Sequence, residues 1–177
     1  MQRILVALAV GLSLAACGGA TDVPPSSSSS SSSSGGGGGD RACTAIGCTD
    51  GLGISVTAPA GWKAGRYVFT VTADGSTQTC EGSLPLPSCG SPGLLCKGQD
   101  GVAQIGESGC ALPAAQHSFS DIHFSSTPAQ VNVHVARDGV VLAEQSFTPS
   151  YVTSQPNGPG CEPICKQASG SLTLQEP

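Results

Sequence analysis

Three histidines carry most of the chemistry this sequence could perform: His117, His123 and His134. In the stretch His117-Ser118-Phe119-Ser120-Asp121-Ile122-His123, both histidines and Asp121 fall at the same parity. On an extended strand those three side chains share one face. A His/His/Asp set, which His134 could complete, is of the kind zinc accepts, and a metal-bound water there would make a small hydrolase. The competing expectation is that these are solvated polar residues on the outer face of a sheet, and the composition favours it. Cysteine offers a second metal reading. Cys43-x4-Cys48 and Cys161-x3-Cys165 lie near zinc-ligand spacings, although neither is the common two-residue gap.

Nucleophilic chemistry has weaker footing. Gly106-Glu107-Ser108-Gly109-Cys110 has part of a nucleophile-elbow pattern, but the final glycine is missing and no strand-turn-helix surrounds it, so a loop is expected. Asp50, Asp74, Asp100, Asp121 and Asp138 are scattered, without calcium-loop spacing. The glycines at 35–39 precede no helix and form no phosphate cradle. Seven Lys plus Arg without a basic cluster, and a net charge of -5, exclude a nucleic-acid role. No cofactor is expected, and the chain does not read as an enzyme.

The elements that must position these residues are short strands. The 177 residues divide into an apolar stretch, a low-complexity stretch and residues 41–177, which hold everything able to fold. That last part has 17 Gly, 11 Pro and eight Cys, too little Gly plus Pro for disorder and too few Cys for a scaffold held by disulfides alone. Its net charge of -4 is too mild to name a partner. Alternation with period two marks residues 53–58 and 66–72, the latter placing Tyr67, Phe69 and Val71 on one face. Asp74-Gly75 then turns the chain into residues 76–84. Val131, Val133 and Val135 repeat that face, and Asp138-Gly139 turns the chain into residues 140–147. The two hairpins align at an offset of 64, with Pro85 on Pro149, which suggests equivalent hairpins packed across a sandwich. Residues 171–174 look like a closing strand. The class is all-β.

The N-terminus reads as an address. A basic start at Arg3 precedes an apolar run over residues 4–16, shorter than the ~20 residues a bilayer span needs. It ends in Leu14-Ala15-Ala16-Cys17, which resembles the lipobox of bacterial lipoproteins. The resemblance implies a signal peptide over 1–16, cleavage before Cys17, and acylation of Cys17 on sulfur and amine with fatty-acid chains such as palmitate. More than one chain makes membrane attachment stable. Gly18 stands where an Asp would resemble an inner-membrane retention signal, so the resemblance implies the outer membrane. Residues 17–40 are then the lipidated cysteine and a Ser/Gly-rich flexible tether, including nine consecutive Ser, with a reach of about 26 Å.

Export bears on the remaining cysteines. Cys43, Cys48, Cys80, Cys89, Cys96, Cys110, Cys161 and Cys165 are an even set, expected as four disulfides in an oxidising compartment. Many pairings are open. The expected one has 43–48 and 161–165 as local clasps, with the other four pairing among themselves. Gly65-Arg66-Tyr67 before an alternating strand, and Pro128-x-x-Val131-x-Val133-x-Val135, resemble immunoglobulin-like modules of bacterial surface proteins. That resemblance implies a disulfide-reinforced immunoglobulin-like β-sandwich over 41–177, although the Cys-Trp-Cys framework of true immunoglobulin domains is absent. Residues 151–165 resemble a loop of uncharacterised lipoproteins of myxobacterial type. The expected function is a lipid-anchored cell-envelope protein whose domain is a non-catalytic binding or structural module for an envelope protein or polymer. The alternative is a small envelope metal-binding protein or hydrolase using His117, Asp121 and His123.

Overall fold

Alternating apolar residues punctuated by Asp-Gly turns fold into ten strands in a computed structural model, which describes residues 42–176. The expected signal peptide, Cys17 and the tether lie outside the described residues. One sheet runs β5 (Gln104–Ser108), β6 (Ser118–Phe124), β1 (Gly51–Thr57), β10 (Cys165–Thr173), β9 (Val152–Ser154). The other runs β4 (Leu94–Gly98), β3 (Ser76–Leu84), β2 (Gly65–Ala73), β7 (Val131–Arg137), β8 (Val140–Phe147). The two sheets pack face to face as an all-β, immunoglobulin-like sandwich reinforced by four disulfides.

The inward faces follow the alternation. Tyr67, Phe69 and Val71 of β2 and Val131, Val133 and Val135 of β7 are buried, facing Leu52, Ile54 and Val56 of β1 and Phe119, Ile122 and Phe124 of β6. Trp62, Tyr67, Phe69 and Phe119 form an aromatic group with ring centroids 5.1 to 5.5 Å apart. Such tilted and edge-on contacts add to plain area burial. The Tyr67 hydroxyl donates to the Lys63 carbonyl at 2.9 Å and accepts the Lys63 N–H at 3.3 Å. This is the tyrosine-corner arrangement, in which a strand-entry tyrosine ties its own approach loop, and it gives Gly65-Arg66-Tyr67 its structural meaning.

Both Asp-Gly turns form as the sequence indicates. Asp74 and Gly75 have φ of 47° and 85°, and Asp138 and Gly139 have 50° and 82°, the left-handed pair of a tight hairpin turn. The two hairpins do not face each other across the sandwich, as the 64-residue offset suggested. They lie side by side in one sheet, with β2 antiparallel to β7. Thr70 pairs with His134, and these are equivalent positions of the repeat, so the ladder has a local two-fold axis through that pair. The polar contacts obey it. The Asp74 N–H donates to the Gln130 carbonyl (3.0 Å) and its carboxylate accepts the Gln130 N–H (2.9 Å). Asp138 does the same to Arg66, at 2.9 and 2.9 Å. Each hairpin's turn aspartate thus pins the strand entry of the other.

That reciprocity predicts matched mutational effects. Asp74→Ala and Asp138→Ala each remove a carboxylate bonded to backbone N–H and place a Cβ-bearing residue without a local polar partner at positive φ, a loss of about 1–3 kcal/mol. The two aspartates sit at opposite ends of the β2–β7 ladder. Urea unfolding of the double variant is therefore expected to give the sum of the single losses.

Candidate functional site

The histidine-aspartate set is separated by a single irregularity in β6. Across the β5–β6 ladder, Ile105 pairs with Ile122 but Glu107 pairs with Phe119, so Ser120 and Asp121 together oppose Gly106. This is a β-bulge, and it reverses the parity of the strand. Phe119 points inward on one side of it, and Ile122 and Phe124 point inward on the other. Gly106 has no room for a side chain, because an added Cβ would run into the carboxylate of Asp121 and the hydroxyl of Ser120.

His117 consequently faces in, not out with Asp121 and His123. It is 7% exposed, its Nδ1 accepts the Leu86 N–H at 2.9 Å, and its Nε2 lies 2.9 Å from the Leu112 carbonyl. Acceptance at Nδ1 fixes the proton on Nε2, which donates to Leu112. Both ring nitrogens are occupied by backbone. Asp121 is half-buried and His123 exposed, both away from the core, paired with Ser55 and Gly53 of β1. His134 lies on the outer face of the opposite sheet, between Thr70 and Glu144. Outer faces of packed sheets are separated by more than the ~10 Å sheet spacing, so His134 does not complete a site with His123. Among the described residues no three His, Cys, Asp or Glu side chains are grouped to hold a metal.

Two further expectations are corrected. Residues 106–108 are not loop but the end of β5, where Ser108 pairs with Ser118; the turn begins at Gly109, and Cys110 is bridged to Cys89. The local clasps 43–48 and 161–165 do not form. Cys43 bonds Cys161 and Cys48 bonds Cys165, so these four sulfurs are cystines and not thiolate ligands for zinc. The reason is positional. Residues 42–48 lie along the loop at 155–165, so each cysteine meets a partner across that contact. Cys80–Cys96 and Cys89–Cys110 do pair within the expected set of four.

Three of the aspartates act on backbone. Besides Asp74 and Asp138, Asp50 accepts the Lys166 N–H at 2.7 Å, holding β10 to the chain entering β1. Sequence reasoning missed Asn157, the most heavily bonded side chain of the surface loops. Its Oδ1 accepts from the Thr44 hydroxyl (2.6 Å) and the Ile46 N–H (2.8 Å), while its Nδ2 donates to the carbonyls of Ile46 (2.9 Å) and Glu162 (2.6 Å). Nothing local in the sequence marks its contact with residues over a hundred positions away.

A surface recess lies on the outer side of β3 and β4. Arg66, Glu81, Pro85, Pro87, Pro92, Leu95 and Lys97 border about 450 Å³ of open cleft. Leu95 is 64% exposed there. The Arg66 guanidinium donates to the Glu81 carboxylate at 2.5 Å. That hydrogen bond, then the Arg66 charge, holds the Glu81 carboxyl below the usual carboxylate range. Cys80–Cys96 cross-links β3 to β4 directly behind it. The floor is apolar and stiff, the rim carries both signs of charge, and β4 is an edge strand, which suits it to hold an extended chain. It has no nucleophile-base pair. Comparison with known proteins adds no template: no family model, curated protein or solved structure matches the chain.

The structural role of His117 is testable against its proposed partners. His117→Leu leaves the Leu86 N–H and Leu112 carbonyl unpaired and is expected to cost roughly 2–3 kcal/mol in urea unfolding. His123→Ala, on the exposed face, is expected to stay within about 0.5 kcal/mol of the parent.

Proposed function

We propose that this chain is a lipid-anchored cell-envelope protein, attached through Cys17, whose domain over 41–177 is a non-catalytic binding or structural module. The observation that carries the reading is Leu14-Ala15-Ala16-Cys17 after a short apolar run and before a Ser/Gly-rich tether. Those three features in that order are what delivery, anchoring and stand-off each require. Four disulfides in a small domain support an oxidising compartment. The absence of a basic cluster argues against nucleic acid as a partner.

The non-catalytic half of the proposal is supported by how the reactive side chains are used. His117 is committed to backbone at both nitrogens, and Asp50, Asp74 and Asp138 cap backbone N–H groups. A hydrolase built on His117, Asp121 and His123 would need His117 free to turn outward. The surface offered to an envelope protein or polymer is the proline- and leucine-lined cleft on β3 and β4. Gly18 after the lipobox cysteine, in place of an Asp, supports outer-membrane placement.

Fractionation tests the anchor and crosslinking tests the surface. Cys17→Ala is expected to release the protein from the membrane fraction and to remove the lipid mass from the mature N-terminus. Retention in the membrane without lipid contradicts the anchor. A photo-crosslinker at Leu95 in intact cells is expected to trap a discrete envelope component, and one at Val140, on the far edge strand, is not. Equal trapping at both positions contradicts the assigned surface.

A further inference from the structure

The Asn157 knot is also a chemical liability that the fold holds in check. The chain contains two asparagines. Asn132 precedes Val133, whose branched side chain hinders attack by its own backbone nitrogen, and Asn157 precedes Gly158, which has no side chain to hinder it. In an unrestrained chain the Gly158 nitrogen attacks Asn157 Cγ. A C–N bond forms, the Cγ–Nδ2 bond breaks, and Nδ2 leaves as ammonia with the proton from the Gly158 nitrogen. Water then opens the resulting succinimide at either carbonyl, leaving aspartate or isoaspartate at position 157.

The folded chain restrains each participant. Asn157 Oδ1 is held by Thr44 and Ile46, and Nδ2 by the carbonyls of Ile46 and Glu162. The attacking group is occupied too: the Gly158 N–H donates to the Gln155 carbonyl at 3.0 Å. The restraint from Thr44 and Ile46 exists because Cys43–Cys161 and Cys48–Cys165 fasten residues 43–48 to this loop. We propose that Asn157 is a site of spontaneous deamidation gated by this clasp, so that loss of the Cys43–Cys161 bridge exposes it to irreversible modification. The modification also acts back on the clasp. Replacing the Nδ2 donor by a carboxylate oxygen sets an acceptor with negative charge against the carbonyl oxygens of Ile46 and Glu162, which pushes residues 42–48 away from the loop.

Peptide mapping of the full oxidised chain, incubated at mildly alkaline pH, tests the gate. Modification at 157 is expected to be at least about tenfold slower than in the same chain reduced, alkylated and unfolded, because it must await local opening. The paired variant Cys43→Ala/Cys161→Ala, still held by Cys48–Cys165, is expected to fall between the two, with Asn132 unmodified throughout as internal reference. Equal rates in the native and unfolded chains would overturn the proposal, and so would a paired variant as slow as the parent. The reverse effect is read by Asn157→Asp, which keeps all disulfides. Amide exchange at Ile46 is expected to speed by about tenfold, the signature of a locally opened segment. Unchanged exchange there overturns the claim that modification loosens the clasp.

Discussion

Two adjacent disulfides turn most of the described chain into a covalent ring. Cys43–Cys161 and Cys48–Cys165 span 118 and 117 residues, and the first hydrogen bond beyond them, from Lys166 N–H to Asp50, spans 116. The bridges are therefore the upstream continuation of the parallel β1–β10 ladder, which runs from Gly51 opposite Gln167 to Thr57 opposite Thr173. Parallel pairing between the first and last long strands is the most entropically demanding contact in this topology, since no turn can bring its partners together. In the chain-entropy model, closing a loop of that size removes about 5 kcal/mol of unfolded-state freedom. Once one bridge exists, the second closes only a small ring made of residues 43–48 and 161–165, a contribution of roughly 3 kcal/mol. The pair is thus redundant for the large loop, and the Asn157 side chain bonds to Thr44, Ile46 and Glu162 of the small one.

The second sheet is organised differently, by local grammar repeated twice. Each Asp-Gly turn makes its own hairpin, and each turn aspartate then binds the strand entry of the other hairpin. The β2–β7 pairing follows from that exchange, and with it the inward row of Tyr67, Phe69, Val71, Val131, Val133 and Val135 that covers the first sheet. One sheet therefore rests on two short-range turns, and the other on two long-range covalent bonds. The C-terminal segment adds a latch between them. Gln175 donates to the Leu142 carbonyl at 2.8 Å, and Glu176 takes a paired contact from Arg137 at 2.6 and 2.8 Å, covering part of the β8 edge.

What the sequence disclosed and what it withheld divide along the same line. The all-β class, both hairpins and the buried faces of β2 and β7 were legible because period-two alternation and Asp-Gly turns act within a few residues. The placement of the hairpins side by side was not, since a 64-residue offset carries no information about which sheet a copy joins. The candidate site failed for a comparably specific reason. Parity put His117, Asp121 and His123 on one face, but the bulge at Ser120 and Asp121 shifts the phase by one, and only the small size of Gly106 on the neighbouring strand hinted at it. Likewise the spacing Cys43-x4-Cys48 suggested a local clasp, whereas the partner of each is set by a strand pairing over a hundred residues away. Functional residues were hardest to see because this domain spends its polar side chains on its own backbone.

The two terminal bridges jointly close a single large loop, and either alone suffices to do so. Urea unfolding of three variants, made by paired Cys→Ala substitution of Cys43–Cys161, of Cys48–Cys165 and of both, tests it directly. The expected loss is about 3 kcal/mol for each single bridge and about 8 kcal/mol for both, more than the sum of the parts. Losses that simply add, or a single-bridge variant as unstable as the variant lacking both, would contradict it.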